Sequence, residues 1–264
     1  MFKTGGFIKT KPVRLIAQGR TGLQLQSYKL LLKLQRLFRK PHPLRYSEFE
    51  IVVSSARLTK YLIACGGNTT EALTLYRNNI KLCQKCYGII NIFEVAIRNA
   101  INDHYKAYFN DADWIRHQLK PGGMLEKHPQ RNVIATVIAG LEKTGRYTSD
   151  RVVSSMTFGF CTHLFSRQPF ILGGQTILQI FPARAKGVGQ RMIYNELQAV
   201  KTFRNRIAHH EGICFDSEGN KSTLGVRTTF ALIVQYIRYL GYSESDLCYG
   251  LDVFPDKILQ KIDI

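Results

Sequence analysis

Apolar residues recur every three or four positions along most of the chain, and few stretches alternate with period two. That pattern predicts an all-α fold. "SEFEIVVSSARLTKYLIA" (47–64) reads as a first helix, stopped by Gly66 and Gly67. Thr69 or Thr70 then caps a long helix that runs to about Phe109, with a break expected near Gly88. A polar segment follows over 110–130, bearing Trp114, Pro121, Gly122 and Gly123. Further helices are expected at 131–144, 150–166, about 171–180, about 188–210 and about 223–240, before a short mixed tail from Asp246. Residues 1–22 read as a glycine-bearing basic arm. "LQLQSYKLLLKLQRLFRK" (23–40) reads as a basic amphipathic helix ended by Pro41 and Pro43, either packed on the domain or lying on RNA or a membrane surface. The expected organisation is an arm with its amphipathic helix over 1–45 and one helical domain over 46–264.

Two predicted helices carry a charge on the face that should be buried. On a wheel at 100° per residue, Ile193, Leu197, Val200 and Ile207 span about 80°, and Arg204 falls inside that arc. In "IINIFEVAIRNAINDHY" the stripe is Ile90, Phe93, Ile97, Ile101 and Tyr108, and Glu94 falls on it. An arginine on an apolar face needs a carboxylate, a phosphate or a wet cleft. Glu94 is therefore expected to meet Arg204, or Arg98 one turn along its own helix. A buried structural ion pair and a functional site both satisfy the wheels. Asn205 and His209 lie one turn apart on a neighbouring face, and His209 points about 140° from Arg204 in a regular helix.

Composition changes this picture in one respect. With 264 residues, 45% apolar and 21% charged, the chain has the make-up of an ordinary globular protein, but 37 Lys and Arg against 19 Asp and Glu leave it at +18. Eleven of the basic residues and no acid fall in 1–45, so the rest holds 26 basic and 19 acidic residues, about +7. Such a field favours a polyanion, most commonly nucleic acid. Cysteines stand at 65, 83, 86, 161, 214 and 248, mostly among apolar residues. Cys83 and Cys86 form a C-x-x-C, yet no second pair stands at a zinc-like spacing, and neither a metal nor another cofactor is expected. No apolar run reaches 18 residues and no signal-peptide core precedes a cleavage site, which points to a cytoplasmic protein without a membrane partner.

"RNRIAH" (204–209) matches the R-N-x-x-x-H form of the Arg-x(4–6)-His motif of HEPN-domain ribonucleases. With "RLTKYLIACGGNTTEALTLYRNNIKL" (57–82), "FEVAIRNAI" (93–101), "MTFGFCTHLF" (156–165) and "LQAVKTFRNRIAHHEGI" (197–213) in that order, the chain resembles the Abi-like family of bacterial abortive-infection proteins over roughly 50–215. The resemblance implies a HEPN-type helical bundle that cleaves RNA without a metal, as a toxin or phage-defence enzyme. It makes Arg204 and His209 the catalytic pair and Asn205 a supporting residue. RNA carries its own nucleophile, the 2′-hydroxyl, so such a site needs only proton transfer, from His209, and charge stabilisation, from Arg204. The implied products are a 2′,3′-cyclic phosphate or 3′-phosphate and a 5′-hydroxyl. No carboxylate cluster suited to two Mg²⁺ ions is evident, in keeping with that route.

HEPN ribonucleases commonly complete one site from two domains. A homodimer would supply Arg204 and His209 twice; alternatively "RNAINDH" (98–104) is an internal second half built on Arg98 and His104. His210 stands next to the match and is the second choice to His209, while Glu94 and Arg98 are supporting candidates. "FPARAKGVGQR" (181–191) offers Arg184, Lys186 and Arg191 to an RNA backbone, as does Arg206 in the motif itself. The aromatic residues of "MTFGFCTHLF" are expected in the core. An antitoxin or small RNA is a further expected partner. The rival reading is a non-catalytic RNA-binding protein on the same fold, with a basic DNA-binding regulator ranked below both.

Overall fold

A computed structural model describes residues 43–263, so the expected arm and its amphipathic segment lie outside the described residues, save for the arm's last three positions. Among the described residues the chain forms twelve α-helices and one 3₁₀ turn. They are α1 (Tyr46–Val53), α2 (Ser55–Ala64), α3 (Thr69–Phe109), α4 (Trp114–Gln118), α5 (Arg131–Lys143), α6 (Ser149–Ser154) and α7 (Phe158–His163). After these come α8 (Arg167–Leu172), the 3₁₀ turn (Ile177–Ile180), α9 (Gln190–Ala208), α10 (Leu224–Tyr239), α11 (Glu244–Leu247) and α12 (Asp256–Asp263). An isolated antiparallel bridge joins Phe215 and Lys221. The fold is all-α, as the periodicity predicts, and the contacts described below lie within the unit Glu50–Ile264.

The 41-residue α3 organises this unit, a rod about 60 Å long at 1.5 Å per residue. Asn68, rather than Thr69 or Thr70, caps it. The Asn68 Oδ1 accepts the Thr70 and Glu71 amides at 3.0 and 3.2 Å, and its Nδ2 donates to Glu71 Oε1 at 2.8 Å. Asparagine caps at least as well as threonine, and Glu71 at the third helical position closes the reciprocal pair. Gly88 does not break the rod. A Cβ there would stand 2.7 Å from Val253 Cγ1, so the glycine admits the C-terminal segment against the helix.

Other expected helices are shorter than the pattern suggested. Ser54, at φ 77°, divides 47–64 into α1 and α2. The stretch 150–166 is split into α6 and α7, because the Thr157 hydroxyl accepts the Phe160 amide and starts a new helix. The stretch near 171–180 becomes α8, which begins at Arg167, and the 3₁₀ turn. Local side-chain capping and left-handed residues end these helices, while apolar spacing continues across the breaks.

Helices α2, α7, α9, α10 and α12 and the 3₁₀ turn all pack on α3. Phe93 lies between Phe158 and Tyr236, with ring centroids 5.9 and 6.1 Å away. The predicted α9 stripe is buried in full, with Phe203 added, and the "MTFGFCTHLF" aromatics Phe158, Phe160 and Phe165 are core. Each such side chain contributes roughly 1.5–3 kcal/mol by leaving water. Tyr108 is exposed, contrary to its place in the stripe. Tyr105, four residues after Ile101, takes the buried position instead.

His128 is a buried polar member of this core, 4% exposed, edge-on to His163 at 4.5 Å and beside Phe160 at 5.0 Å. Burial first, and His163 second, push its pKa down to about 4, only partly offset by the Phe160 backbone. Its folded pKa therefore lies below the unfolded value of about 6.5. Between those two pH values the unfolded chain binds the additional proton, so His128 stabilises the fold above pH about 6.5 and that stability is lost as the pH falls towards 4. Chemical denaturation at pH 7 and pH 5 should show a loss of about 2 kcal/mol from this residue. A His128→Phe chain should lose correspondingly less, and equal pH slopes in the two proteins would exclude His128 as the source.

Candidate functional site

The motif sits where α9 ends. Its last turn closes with the His210 amide on the Ile207 carbonyl at 3.0 Å and the Glu211 amide on the Arg206 carbonyl at 2.9 Å. This is the paired closure that ordinarily places glycine at the left-handed position. Here His210 occupies it, at φ 58°, and the Arg57 guanidinium donates to its carbonyl at 2.6 Å. His209, the C-cap, is exposed. A His210→Gly chain should gain about 0.5–1 kcal/mol in urea unfolding, because the strain is backbone and the Arg57 bond to the carbonyl survives. Cleavage of RNA by that variant should be retained if His209 rather than His210 transfers the proton.

The two charges that the wheels placed on core-facing stripes do meet. Arg204 Nε donates to Glu94 Oε1 at 2.9 Å, linking α9 to α3, with the side chains 31% and 18% exposed. This bond uses Nε alone, and the terminal nitrogens of Arg204 make no hydrogen bond among the described residues. Arg98 is not the partner of Glu94. Its Nη1 donates to the carbonyls of Ser154 and Met156 at 3.1 and 3.0 Å, where α6 ends and unsatisfied carbonyls attract a cation. Cys161 is buried beside these charges, and burial raises its pKa to about 12, so it stays a thiol. His104 bonds Thr176 Oγ1 at 2.9 Å, and burial lowers its pKa. Arg98 and His104 thus have separate structural partners and form no second Arg–His pair within the unit.

His209 opens on a different side of α9. Together with His210, Arg57, Lys60 and Glu211 it lines a cleft of about 360 Å³, and neither Arg204 nor Asn205 reaches that cleft. Asn205 is exposed, and its carbonyl accepts the His209 amide at 2.9 Å. Within one chain, then, the structure brings His209 to Arg57 and Lys60, not to Arg204. Lys60 Nζ lies 5.1 Å from the Phe215 ring centre and 5.6 Å from that of Tyr61, positions that hold the ammonium by cation–π attraction. A Cβ at Gly212 would come within 2.8 Å of Lys60 Nζ, Phe215 Cδ2 and Tyr61 Oη, so any side chain there would push these groups aside.

The residues after the motif are anchored from α3. Asn79 is buried, and its Oδ1 accepts the Ile213 and Cys214 amides at 2.9 and 3.2 Å. Sequence reasoning missed Arg57, Lys60 and Asn79. An asparagine on an apolar helix face was the available signal for Asn79; its partners lie 134 and 135 residues away.

Two of the groups expected to contact RNA also have partners within the fold. Arg206 Nη2 donates to the Gly212 and Phe215 carbonyls at 3.0 and 3.3 Å, and Nε pairs with Glu211 at 3.3 Å. Arg184 Nη1 donates to the Leu178 carbonyl at 2.8 Å. Lys186 and Arg191 are exposed, but Arg191 lies in the first turn of α9 and His209 caps its end, about 27 Å away along the axis. The basic loop and the motif are separate surfaces on one chain.

All six cysteines are free thiols, and burial raises Cys83 to about 11 and Cys86 to about 12. Among the described residues no three His, Cys, Asp or Glu side chains cluster as a metal site, and no helix is long and apolar enough to cross a membrane. Comparisons with protein-family models, curated proteins and solved structures returned no match to this chain.

Proposed function

We propose that the protein is a metal-independent endoribonuclease of the HEPN, abortive-infection type, acting in the cytoplasm as a toxin or phage-defence enzyme. The observation that carries this reading is the Arg204–Glu94 bond: a half-buried guanidinium is fixed by Nε while its terminal nitrogens stay available for a phosphate. One turn and a half further on stands an exposed histidine. In the proposed reaction His209 takes the proton of the RNA 2′-hydroxyl or returns one to the leaving 5′-oxygen. The 2′-oxygen attacks phosphorus, the bond to the 5′-oxygen breaks, and Arg204 offsets the charge that gathers on the phosphate. Arg57 and Lys60 hold the strand beside His209.

Because Arg204 and His209 face different sides of one α9, the proposed site is composite. A second copy brings its Arg204 to the first copy's His209, which also makes a homodimer the working unit. An antitoxin or small RNA that covers either surface would silence it.

Induced expression of the unchanged chain and of His209→Ala, followed by sequencing of 5′-hydroxyl RNA ends, tests the proposal. New ends and growth arrest are expected with the unchanged chain alone. Identical ends in both strains overturn the ribonuclease reading. RNA binding that depends on Arg57 and Lys60, without cleavage, would instead support the binding-protein alternative, which the separation of Arg204 from the His209 cleft favours.

A further inference from the structure

Among the described residues, α3 carries a partly exposed stretch from Ile80 to Tyr87. Ile80, Gln84 and Tyr87 follow one another there at spacings of four and three and floor a cleft of about 760 Å³. Arg57, Ile207, His210 and Glu211 also line it, with Glu211 paired to Arg206. The volume falls within the roughly 300–1,000 Å³ of small-ligand sites. Arg57, His210 and Glu211 also line the cleft around His209, which holds Lys60 as well, so the two cavities share a border. A phosphate on Arg57 and Lys60 would therefore lie at the edge that the larger cleft shares.

The side chains there suit a base. Tyr87 is 39% exposed and offers a ring for stacking. Gln84 is exposed one turn earlier, and its amide makes no hydrogen bond among the described residues. An amide presents a donor beside an acceptor, as the edge of a base does. Ile80 and Ile207 supply apolar contact for the ring's body. An apolar floor, one free amide and a cationic border together match a nucleotide better than a lipid chain or an apolar helix, neither of which needs the last two.

We propose that this cleft holds an unpaired nucleobase next to the scissile phosphate, with Tyr87 stacking on it and Gln84 reading its edge. The proposal rests on the RNA reading of the neighbouring motif and extends it to base preference.

Fluorescence anisotropy of 5′-labelled heptanucleotides tests it with the full chain. Four homopolymers carrying 2′-fluoro sugars lack the attacking hydroxyl, so binding is separated from cleavage. Tyr87→Ala should weaken the best-bound strand by about 5- to 150-fold, the range found for losing one stacking partner. Tyr87→Phe should bind within about twofold of the unchanged chain, since the ring is kept. Gln84→Ala should level the affinities among the four bases. An abasic strand of equal length should bind the unchanged chain and Tyr87→Ala alike. Thermal melting verifies that each variant is folded.

Equal affinity of Tyr87→Ala and the unchanged chain for the base-bearing strand overturns the proposal, as does failure of the unchanged chain to bind any of the four. Loss of self-association in Tyr87→Ala, with strand affinity unchanged, assigns the cleft to a second copy and also overturns it. Tyr87-dependent binding by a protein that leaves RNA uncut keeps the base site and removes the ribonuclease. RNA cleavage with Tyr87-independent binding does the reverse.

Discussion

A chain carrying His209→Ala should cleave RNA about 10²–10⁴-fold more slowly than the unchanged protein in EDTA, the range lost with a general acid or base. Arg204→Ala should lose about 10²–10³-fold by removing charge stabilisation. Neither loss should come from unfolding. His209 is exposed at a helix end, and the Arg204–Glu94 pair is partly open to solvent, which limits its contribution to about 1 kcal/mol. Glu94→Gln keeps an acceptor for Arg204 Nε and should fall between the unchanged chain and Arg204→Ala. The composite site adds a sharper outcome: mixing inactive Arg204→Ala with inactive His209→Ala should restore activity, because a mixed dimer contains one unaltered Arg204 and one unaltered His209. No restoration on mixing, with dimers present by light scattering, would place the whole site in one chain or remove it.

Asn79→Ala should have the largest effect on stability. It strips the acceptor from two buried amides, those of Ile213 and Cys214. At about 1–3 kcal/mol for each unsatisfied donor, the loss should be on the order of 2–5 kcal/mol. Thermal denaturation should then fall by roughly 5–15 °C for a domain of this size. Asn79→Asp retains an oxygen in the same place and should lose distinctly less. RNA cleavage should decline as well, since the loop that Asn79 anchors carries the Gly212 and Phe215 carbonyls on which Arg206 closes the end of α9. A melting temperature unchanged in Asn79→Ala would show that this loop is held by its apolar contacts alone.

What the sequence made legible was local and periodic. The wheel put Glu94 and Arg204 on facing stripes, and the pair forms at 2.9 Å across 110 residues. The span of α9 was readable to within two residues at each end, since its apolar spacing is regular and no internal cap interrupts it. Helix breaks were read poorly where a single residue decides them, as at Ser54 and Thr157. Arg57 and Lys60 were invisible as site residues because nothing in α2 marks which face meets the end of α9. The spacing between the basic loop at 181–191 and the motif follows from helix length alone: 18 residues of helix hold Arg191 and His209 about 27 Å apart. The standing of Gly88 as a seat for Val253 depended on a contact 165 residues away.

One continuous rod also sets the protein's tolerance to insertion. Asn79, Gln84, Tyr87 and Glu94 all ride on α3 with no loop between them. Adding one residue after Tyr87 would turn everything beyond it by about 100° and advance it by 1.5 Å, swinging Glu94 away from Arg204 while leaving Asn79 in place. Loops in this chain can absorb a change in length; here the number of residues is itself the specification, and related sequences should keep the interval from Asn79 to Glu94 constant even where side chains between them differ.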